Sequence, residues 1–514
     1  MRWASAPSPR HQLVLFPTSL DESIPANHPL RQLDVLLDSI DWTSWENNYS
    51  NEHCGQPAIH PKFMSGCILY GLLKGIRSSR KLEDACCNRI DFMWFVENRK
   101  IDHATFAKFR QQHGDAIKDL FRQVNQAALK LRQSGFIELA TDGTKIRANA
   151  SRQKIYTEEF FSSRLDELDR KFSEAMKELE ETDVIENPEL ATKEEIYRKL
   201  NSINREKQLC QNALKKAEEL SQKRKRKAGA FAKPGKTSLT DSDSQLMPNK
   251  EGGFAPNYTP AVTVDKESGL ILYADIVEGH AEADCVVPAM KEITANYCKK
   301  PVNVSMDSHV ASGENLLQLE KDGINTFTKL RNQTSEIAKR PDLSEPVKKE
   351  DWDKLPKAGG KRPQLHRSAF IYDEKNDCYW CPAGKQLKPE KKNAKAWMGS
   401  NKSKSIALYI CKSCSECEFK DTCMPRKKTK RGRTITRDEY ENCREKVLQR
   451  MDTQEGKEIY KRRMHIVETI FGYLKGVLGI RQFLYRGMEK VKNEWSWMCL
   501  AYNVRKIIYS GQPV

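Results

Sequence analysis

The chain has 514 residues, too many for one hydrophobic core, so about two to four domains are expected. Lysine and arginine total 87 against 70 acidic residues, and the resulting net charge of +17 favours a polyanionic partner, meaning nucleic acid. No apolar run reaches the roughly 18 residues that span a bilayer, and the N-terminal MRWASAPSPRHQLVLF lacks a clean signal-peptide core. A membrane or secreted protein is therefore excluded, and a cytoplasmic one is expected.

Residues 20–135 carry apolar residues at helical spacing and show no strand-like alternation. We predict a helical N-terminal domain over 1–135 that binds DNA. Asp102 is the predicted N-cap of a short basic helix that contains Lys108 and Arg110. This helix either enters a DNA groove in helix-turn-helix fashion or packs as an ordinary bundle helix, and the sequence favours neither.

A strand-rich pattern begins at Phe136–Asp142, where FIELATD alternates apolar and polar residues. The strands YTPAVTV and LILYADIV then flank the turn DKESG and predict a β-hairpin. A helix over Ala281–Cys298, a buried strand over Val302–Asp307, a helix around Glu314–Lys321 and the short strand INTFTKL follow. We predict a mixed α/β sheet in which the hairpin pairs antiparallel beside the Asp142 strand and the Asp307 strand runs parallel to it. This order is that of a ribonuclease-H-like core, over 136–330 and the helical segment 455–514.

Residues 157–227 are highly charged, and their apolar positions follow three- to four-residue spacing on both sides of a break at Asn187-Pro188. The pattern predicts an antiparallel coiled-coil insertion over 155–230. Lys207 lies in the predicted seam. The apolar positions are Leu165, Leu168, Phe172, Met176, Leu179, Ile196, Leu200, Ile203, Cys210, Leu214 and Ala217. The basic run QKRKRKAG at its end is either a solvated helix terminus or a phosphate contact.

Residues 332–365 are polar and predict a loop or linker, and a cysteine-rich segment follows over 370–437. Close cysteine pairs about 30 residues apart, in a reducing compartment, indicate a tetrahedral Zn²⁺ site that would stabilise a small insertion. Six thiols exceed four ligands, so the set stays ambiguous, and free buried cysteines are the alternative. The six are Cys378, Cys381, Cys411, Cys414, Cys417 and Cys423.

Three acidic residues stand where carboxylates from different elements can converge. Asp142 and Asp307 each end a predicted strand, and Glu468 lies on a C-terminal helix. Carboxylates in such an arrangement hold Mg²⁺ ions, and two ions about 4 Å apart can activate a nucleophile and stabilise a leaving oxygen in phosphodiester chemistry. Among 70 acidic residues the choice of three is unspecific, because an aspartate at a strand end is usually a cap or turn residue.

The segments around these three residues narrow the choice. The blocks TDGTKIRANAS, VSMDSHVASGEN and YKRRMHIVETIFGYLK resemble those of bacterial insertion-sequence transposases of the DDE type. The N-terminal HPKFMSGCILYGLLKGIRSSRKLED and DHATFAKFR, and the C-terminal RGMEKVKNEWSWMCLAYNVRKI, resemble the same group in the same order. Two departures stand out. Ser308 and His309 replace the small residue and tyrosine usual after the second aspartate, and four residues rather than three separate Arg463 from Glu468.

The resemblance implies that Asp142, Asp307 and Glu468 bind the two Mg²⁺ ions and are catalytic. Glu468 and Lys475 are seven residues apart and share one helix face. The resemblance also implies DNA-binding side chains at Lys145, Arg147, Arg462, Arg463 and Lys475, with Arg462 an equal candidate to Arg463 for the basic partner.

Similar transposases carry a CPxGK…CxxC…C pattern, which favours Cys381, Cys414, Cys417 and Cys423 as structural zinc ligands, with Cys378 and Cys411 next. The tail PRKKTKRGRTITR would meet DNA backbone. Trp495 and Trp497 are expected to be core residues rather than base-stacking ones.

The expected function is that of a transposase that binds the terminal inverted repeats of its element, cleaves the DNA at both ends and joins the 3′ ends to target DNA. Double-stranded DNA is the expected partner, and pairing two ends implies a homodimer or larger assembly in the bacterial cytoplasm, at the nucleoid. The coiled-coil insertion would serve this assembly or contact DNA. The alternatives are a catalytically inactive or domesticated DNA-binding relative and a related nuclease without strand transfer.

Overall fold

A computed structural model describes most of the chain. The described residues are 19–47, 49, 57–132, 134–183, 190–228, 233–248, 252–278, 282–330, 338–358, 364–391, 406–424 and 432–509. The N-terminal MRWASAPSPRHQLVLF, the Asn187-Pro188 break and most of the basic tail before Gly432 lie outside these ranges. Within them, no helix is both long enough and apolar enough to cross a bilayer.

In the described residues, helices alone make up the part before Glu138, and strands and helices are mixed after it. The helices are α1 Pro29–Asp38, α2 Thr43–Glu46, α3 Pro61–Leu73, α4 Ser79–Asn88, α5 Ile90–Phe95, α6 His103–Gln111, α7 Gly114–Arg132, α8 Glu158–Asp183, α9 Leu190–Ala228, α10 Val286–Tyr297, α11 Gly313–Lys321, α12 Lys420–Cys423, α13 Glu441–Asp452, α14 Gln454–Gly476 and α15 Met488–Ile508. The strands are β1 Glu138–Gly143, β2 Ile146–Arg147, β3 Ile155–Thr157, β4 Lys236–Ser238, β5 Gln245–Pro248, β6 Phe254–Tyr258, β7 Pro260–Asp265, β8 Ile271–Ile276, β9 Asn303–Met306, β10 Asn325–Phe327, β11 Lys357–Ala358, β12 Gln364–Leu365, β13 Ile371–Asp373, β14 Cys378–Trp380, β15 Gln386–Lys391, β16 Ile406–Ile410 and β17 Thr434–Asp438.

A five-stranded mixed sheet with the order β10-β9-β1-β7-β8 forms the centre of the molecule. β1 pairs antiparallel with β7 and parallel with β9, and β7 and β8 form the predicted hairpin. The predicted pairing is therefore confirmed, and the order is consistent with a ribonuclease-H-like core. FIELATD alternates apolar and polar residues, yet Glu138 to Thr141 are all buried because β1 is the central strand of the sheet.

Helices α14 and α15 close this core. Trp495 and Trp497 of α15 are 0% and 2% exposed, which confirms that they are packing residues. Asn503 lies deeper on the same helix, where its side chain accepts the Ile271 N–H at 2.9 Å and donates to Asn125 at 2.7 Å. A fully buried amide needs such partners, and this one ties α15 to β8 and α7.

The helices predicted over 20–135 are confirmed, and no strand is present in the described residues before Glu138. Asp102 caps α6 as predicted, since its carboxylate accepts the Thr105 N–H at 2.8 Å. Arg110 of the same helix is 5% exposed and donates to the Arg77 carbonyl, so it packs inside the helical bundle. Lys108 is exposed at the surface. The Arg110 side of α6 thus matches the bundle-helix interpretation.

The two long helices α8 and α9 pack antiparallel along a shared apolar face. Phe161 and Leu168 meet Cys210, Ala213 and Ala217 at one end, and a second cluster follows towards the other end. That second cluster consists of Ala175, Leu179, Ile196 and Leu200, with Phe172 and Ile203 packed against it.

Two positions of the predicted seam between these helices differ in their environment. Lys207 is tolerated there because it pairs with Asp169 across the interface. Met176 was predicted to be a seam residue and is 36% exposed; the neighbouring Ala175 is buried instead.

The cysteine-rich segment contains a second five-stranded sheet, in the order β13-β14-β15-β16-β17, which the sequence reasoning missed. Its own core includes Trp352, Leu387 and Tyr409, so the segment 370–437 extends structurally to residues upstream of the first cysteine. Short strands hide this sheet from a hydrophobic-periodicity analysis, because β13 and β14 have three residues each and alternation is read over about four to eight.

Candidate active site

Asp142 and Asp307 lie next to each other at the carboxyl ends of neighbouring strands. β1 and β9 are parallel, and their register pairs Thr141 with Met306, so the following residue on each chain segment is the aspartate. Parallel strands present their carboxyl ends at one edge of the sheet, where connecting loops leave room for a substrate. The predicted convergence of these two carboxylates is thus a consequence of the strand register.

Both oxygens of the Asp142 carboxylate have partners. Its Oδ1 accepts the Gly143 N–H at 2.9 Å, and its Oδ2 accepts an Nη1–H of Arg463 at 3.1 Å. Burial raises the pKa of Asp142, and the charge of Asp307 acts in the same direction, whereas Arg463 and the Gly143 N–H oppose the shift. Two carboxylates held together in a partly buried site favour a cation between them.

Asp307 follows β9 directly and is half-buried, like Asp142. Its Oδ1 accepts a hydrogen bond from the Ser308 hydroxyl at 3.1 Å, so one of the two family departures supplies a direct partner for the aspartate. The Val310 N–H then bonds to the Asp307 carbonyl at 3.0 Å, which closes a tight turn after β9. The turn holds the Asp307 side chain at the strand end and leads into α11.

Helix α14 runs along β1 and positions the C-terminal site residues. Val467, Ile470 and Leu474 are buried in the main core and fix the register of the helix. In the first half of the helix, Arg462 donates to Glu138 at 3.1 Å; near its end, Lys475 donates to the Thr144 hydroxyl at 2.5 Å. The helix therefore follows the strand in the same direction and spans the site from one side to the other.

The two adjacent arginines of α14 have different environments. Arg463 is 8% exposed and forms its ion pair with Asp142, whereas the Arg462 side chain is 40% exposed and pairs with Glu138 at the beginning of β1. The sequence could not separate these two candidates, because a one-residue difference on a helix moves a side chain by about 100°. Their roles as DNA ligands stay predictions.

Glu468 lies on α14 between these contacts and is exposed. It precedes Lys475 by seven residues, so the two side chains leave the same face of the helix, about 10 Å apart along its axis. In the described part of the chain, no group of three or more His, Cys, Asp or Glu side chains is placed to hold a metal ion. The structure thus brings Asp142 and Asp307 together and leaves Glu468 at the surface.

Two further predicted DNA-binding residues follow β1 directly. Lys145 and Arg147 are both exposed, and the Lys145 carbonyl accepts a hydrogen bond from Lys475 at 3.2 Å. Arg147 belongs to β2, whose backbone pairs with β6 and with the loop between α14 and α15. Lys145, Arg147 and Lys475 therefore lie on the loops and helix that adjoin the Asp142 strand end.

The loop between α14 and α15 is supported by a buried ion pair that sequence reasoning missed. Arg77 of the N-terminal helical region donates to the Gly479 and Gln482 carbonyls, each at 2.8 Å, and to Glu494 at 2.9 Å. Glu494 also accepts the Leu484 N–H at 2.9 Å. More than 400 residues separate Arg77 from this loop, so no local pattern could have indicated the contact.

Five of the six clustered cysteines line one cavity in the second sheet region. They are Cys381, Cys411, Cys414, Cys417 and Cys423. Backbone amides point at two of the sulfurs, from Lys385 to Cys381 and from Arg433 to Cys414, each at 3.3 Å. The sixth residue, Cys378, is buried in β14, and the charges that act on it are Asp373, Asp377 and Lys388.

The pKa values of two thiols in this cavity, Cys414 and Cys423, are shifted in opposite directions. A hydrogen bond from the Cys411 thiol, the Arg433 N–H and nearby basic side chains lower the pKa of Cys414 to about 6 against the effect of burial. Burial raises the pKa of Cys423 to about 12, and the charges of the three other favoured cysteines act in the same direction. The effect of Cys381, Cys414 and Cys417 on the pKa of Cys423 agrees with their lining one cavity with it.

Comparison with known families separates the chain into two matched regions. A family model described as a transposase domain (DUF772) matches residues 18–112, and a model described as a transposase DDE domain matches residues 380–508. The second range contains Glu468, Lys475 and the cysteine cavity, while Asp142 and Asp307 lie outside both. No curated protein matches the chain. Both matched models describe transposase domains, and together they indicate an insertion-sequence transposase of the DDE type.

Proposed function

We propose that this protein cleaves the DNA ends of its own element and joins the 3′ ends to target DNA. The observation that carries the proposal is the pairing of Asp142 with Asp307 at adjacent parallel strand ends, with α14 of the matched DDE domain lying against them. A ribonuclease-H-like core built in this way directs both carboxylates to one point at the sheet edge. Glu468, on the same helix face as Lys475, is the proposed third ligand.

The donor set fits a divalent cation. Carboxylate oxygens are the ligands that Mg²⁺ prefers, and Asp307 is close enough for its charge to raise the pKa of Asp142. When bound, two such ions would lower the pKa of a nucleophilic water or 3′-hydroxyl and stabilise the leaving oxygen. The chain itself holds the two carboxylates in register through the β1–β9 pairing. We propose that Glu468 reaches them from α14, whose buried apolar face fixes the register of the helix.

Lys475 has a separate role in this proposal. Its ammonium group already lies within hydrogen-bond reach of Thr144 and of the Lys145 carbonyl. A phosphate of double-stranded DNA laid across the strand ends would meet Lys475 together with the exposed Lys145 and Arg147. These cations would position the backbone, and binding should weaken steeply with salt as counterions are released.

The test is Mg²⁺-dependent nicking and strand transfer on a duplex that carries the element end. Wild type should cut and join, whereas Asp142→Ala and Asp307→Ala should bind DNA and lose both activities by more than about a hundredfold. Asp353→Asn is a matched control, because that aspartate is 97% exposed in the other sheet region. Equal binding with no cutting by the wild type would refute the proposal in favour of a DNA-binding relative. Cutting without joined products would indicate a nuclease.

We also propose that Cys381, Cys414, Cys417 and Cys423 bind one structural Zn²⁺. Support comes from their common cavity, from the amides directed at the Cys381 and Cys414 sulfurs and from the lowered pKa of Cys414. Burial acts in the opposite direction and raises the pKa of Cys381 and Cys423. Metal analysis should find one zinc per chain, lost in Cys417→Ser and kept in the matched control Cys378→Ser. A wild-type protein purified without zinc that keeps the fold of 370–437 would overturn the site.

The remaining parts of the proposal concern assembly. The N-terminal helices would bind the terminal repeats, and pairing of two DNA ends calls for a homodimer or larger complex at the bacterial nucleoid. The α8–α9 pair, proposed as the coiled-coil insertion, is the candidate for that contact or for a supporting DNA contact. Replacing residues 158–228 by a short linker should distinguish the assembly role from the DNA contact. Loss of dimers, measured by light scattering, would indicate assembly.

A further inference from the structure

The most buried cation at the candidate active site is Arg463, which sequence reasoning had assigned to DNA. Its side chain is 9% exposed, and its guanidinium donates to Asp142 Oδ2 at 3.1 Å. The Nε of the same group is buried without a hydrogen-bond partner in the described residues, and the guanidinium carbon lies 5.6 Å from the Tyr460 ring centre. Arg463 is therefore directed inward, at the carboxylate proposed as a metal ligand.

We propose that Arg463 is an internal counter-ion that occupies Asp142 until a divalent cation displaces it. This inference rests on the proposed function, since it takes Asp142 and Asp307 as the metal-binding pair. Asp142 Oδ1 is committed to the Gly143 N–H, so Oδ2 is the oxygen for which Arg463 and a metal ion compete. A metal ion on Asp142 Oδ2 and the Arg463 guanidinium would be neighbours and would repel each other. Metal binding and the arginine contact therefore oppose each other.

Arg463 contacts the Asp142 carboxylate through one Nη1–H, and a contact of this size is one that a metal ion can displace. The neighbouring Arg462 provides the contrast, because its Nε and Nη2 both donate to the Glu138 carboxylate, at 3.4 and 3.1 Å. Arg463 thus has the features of a positioning residue for the metal-free site.

The test measures Mn²⁺ binding in the absence of DNA, by the electron paramagnetic resonance signal of the free ion. Arg463→Met keeps the long apolar stem and removes the charge, so it should bind Mn²⁺ about tenfold more tightly than wild type. Arg463→Lys, which keeps the charge, and the matched control Arg462→Met should both stay within about twofold of wild type. Asp142→Asn should abolish binding in every background.

A measurement on the wild type covers the case in which Arg463→Met does not fold. Phenylglyoxal modifies accessible arginines, and mass spectrometry should find Arg463 protected without metal and several times more reactive with saturating Mn²⁺. Unchanged or weaker Mn²⁺ affinity in folded Arg463→Met, or unchanged modification of wild type, would overturn the inference and leave Arg463 a structural partner of Asp142. If neither wild type nor Arg463→Met binds Mn²⁺, the proposed metal site itself fails.

Discussion

The ion pair between Arg77 and Glu494 offers a sharp test of how the N-terminal helices are joined to the rest of the protein. The Arg77 Nη2–H donates to Glu494 Oε1 at 2.9 Å, and the side chains are 17% and 6% exposed. Burial raises the pKa of Glu494, whereas Arg77 and two backbone N–H groups oppose the shift. At pH 8, replacing Glu494 by glutamine would remove the charge and leave Arg77 buried without its carboxylate.

The expected loss in the free energy of unfolding is large, because removing one partner leaves the other buried without its ion-pair partner. Breaking a buried ion pair in this way costs about 3–5 kcal/mol, whereas an exposed pair contributes about 0–1 kcal/mol. Glu494→Gln and Arg77→Met should each lie in the first range. The double variant leaves no unpaired charge, so it should lose less than the sum of the two, with a coupling of about 2–3 kcal/mol.

The assay is urea unfolding followed by tryptophan fluorescence, with the free energy taken from the midpoint and slope. Glu194→Gln is the matched control, because Glu194 pairs with Arg198 at 3.1 Å while their side chains are 59% and 80% exposed. It should change stability by less than about 0.5 kcal/mol. Single variants at Arg77 and Glu494 that each cost under about 1 kcal/mol and add without coupling would refute the reasoning.

Three further predictions follow from other buried contacts. Burial raises the pKa of Asp241 from 3.8 to about 6, so the folded protein holds a proton that the unfolded chain has lost. Stability should fall by about 3 kcal/mol as pH rises across that window, and Asp241→Asn should remove this component from urea midpoints measured between pH 4 and 7. Asn503→Ala should cost about 2–4 kcal/mol in the same assay, since it leaves the buried Ile271 N–H unsatisfied; a loss below about 1 kcal/mol would contradict this. A Cβ on Gly432 would lie 1.7 Å from the Cys411 carbonyl, so Gly432→Ala should reduce bound zinc, and full zinc content would contradict that placement.

The order and pairing of the core strands were accessible from the sequence because they depend on local signals. Apolar runs, a turn at DKESG and the helix between the strands restrict the topology to a small set, and the antiparallel hairpin and parallel β9 are confirmed. Asp142 and Asp307 were placed at strand ends for the same reason, whereas their choice among 70 acidic residues rested on the resemblance of the surrounding blocks. Met176 was predicted to be buried but is exposed. Residue spacing does not decide burial for a position at the border between the buried and the exposed face of a helix.

The contacts that require long-range placement were not accessible. The second sheet was missed because its first strands are only three residues long and lie within cysteine-rich sequence. Arg77 and Glu494 look like ordinary surface charges until the fold buries both. Arg463 and Arg462 are adjacent in sequence, and only the side of α14 that packs on β1 decides which of them reaches Asp142.

The sequence by itself determined the family, the core topology and the two aspartates at the strand ends, since motif blocks and strand periodicity are local properties of the chain. The tertiary structure decided which side chains meet across it. It brought Arg463 onto Asp142, placed five cysteines around one cavity and left Glu468 on the exposed face of α14. These outcomes depend on how the packed helices and strands are rotated and in which register they pair. A shift of one residue changes both, and local sequence patterns do not encode them.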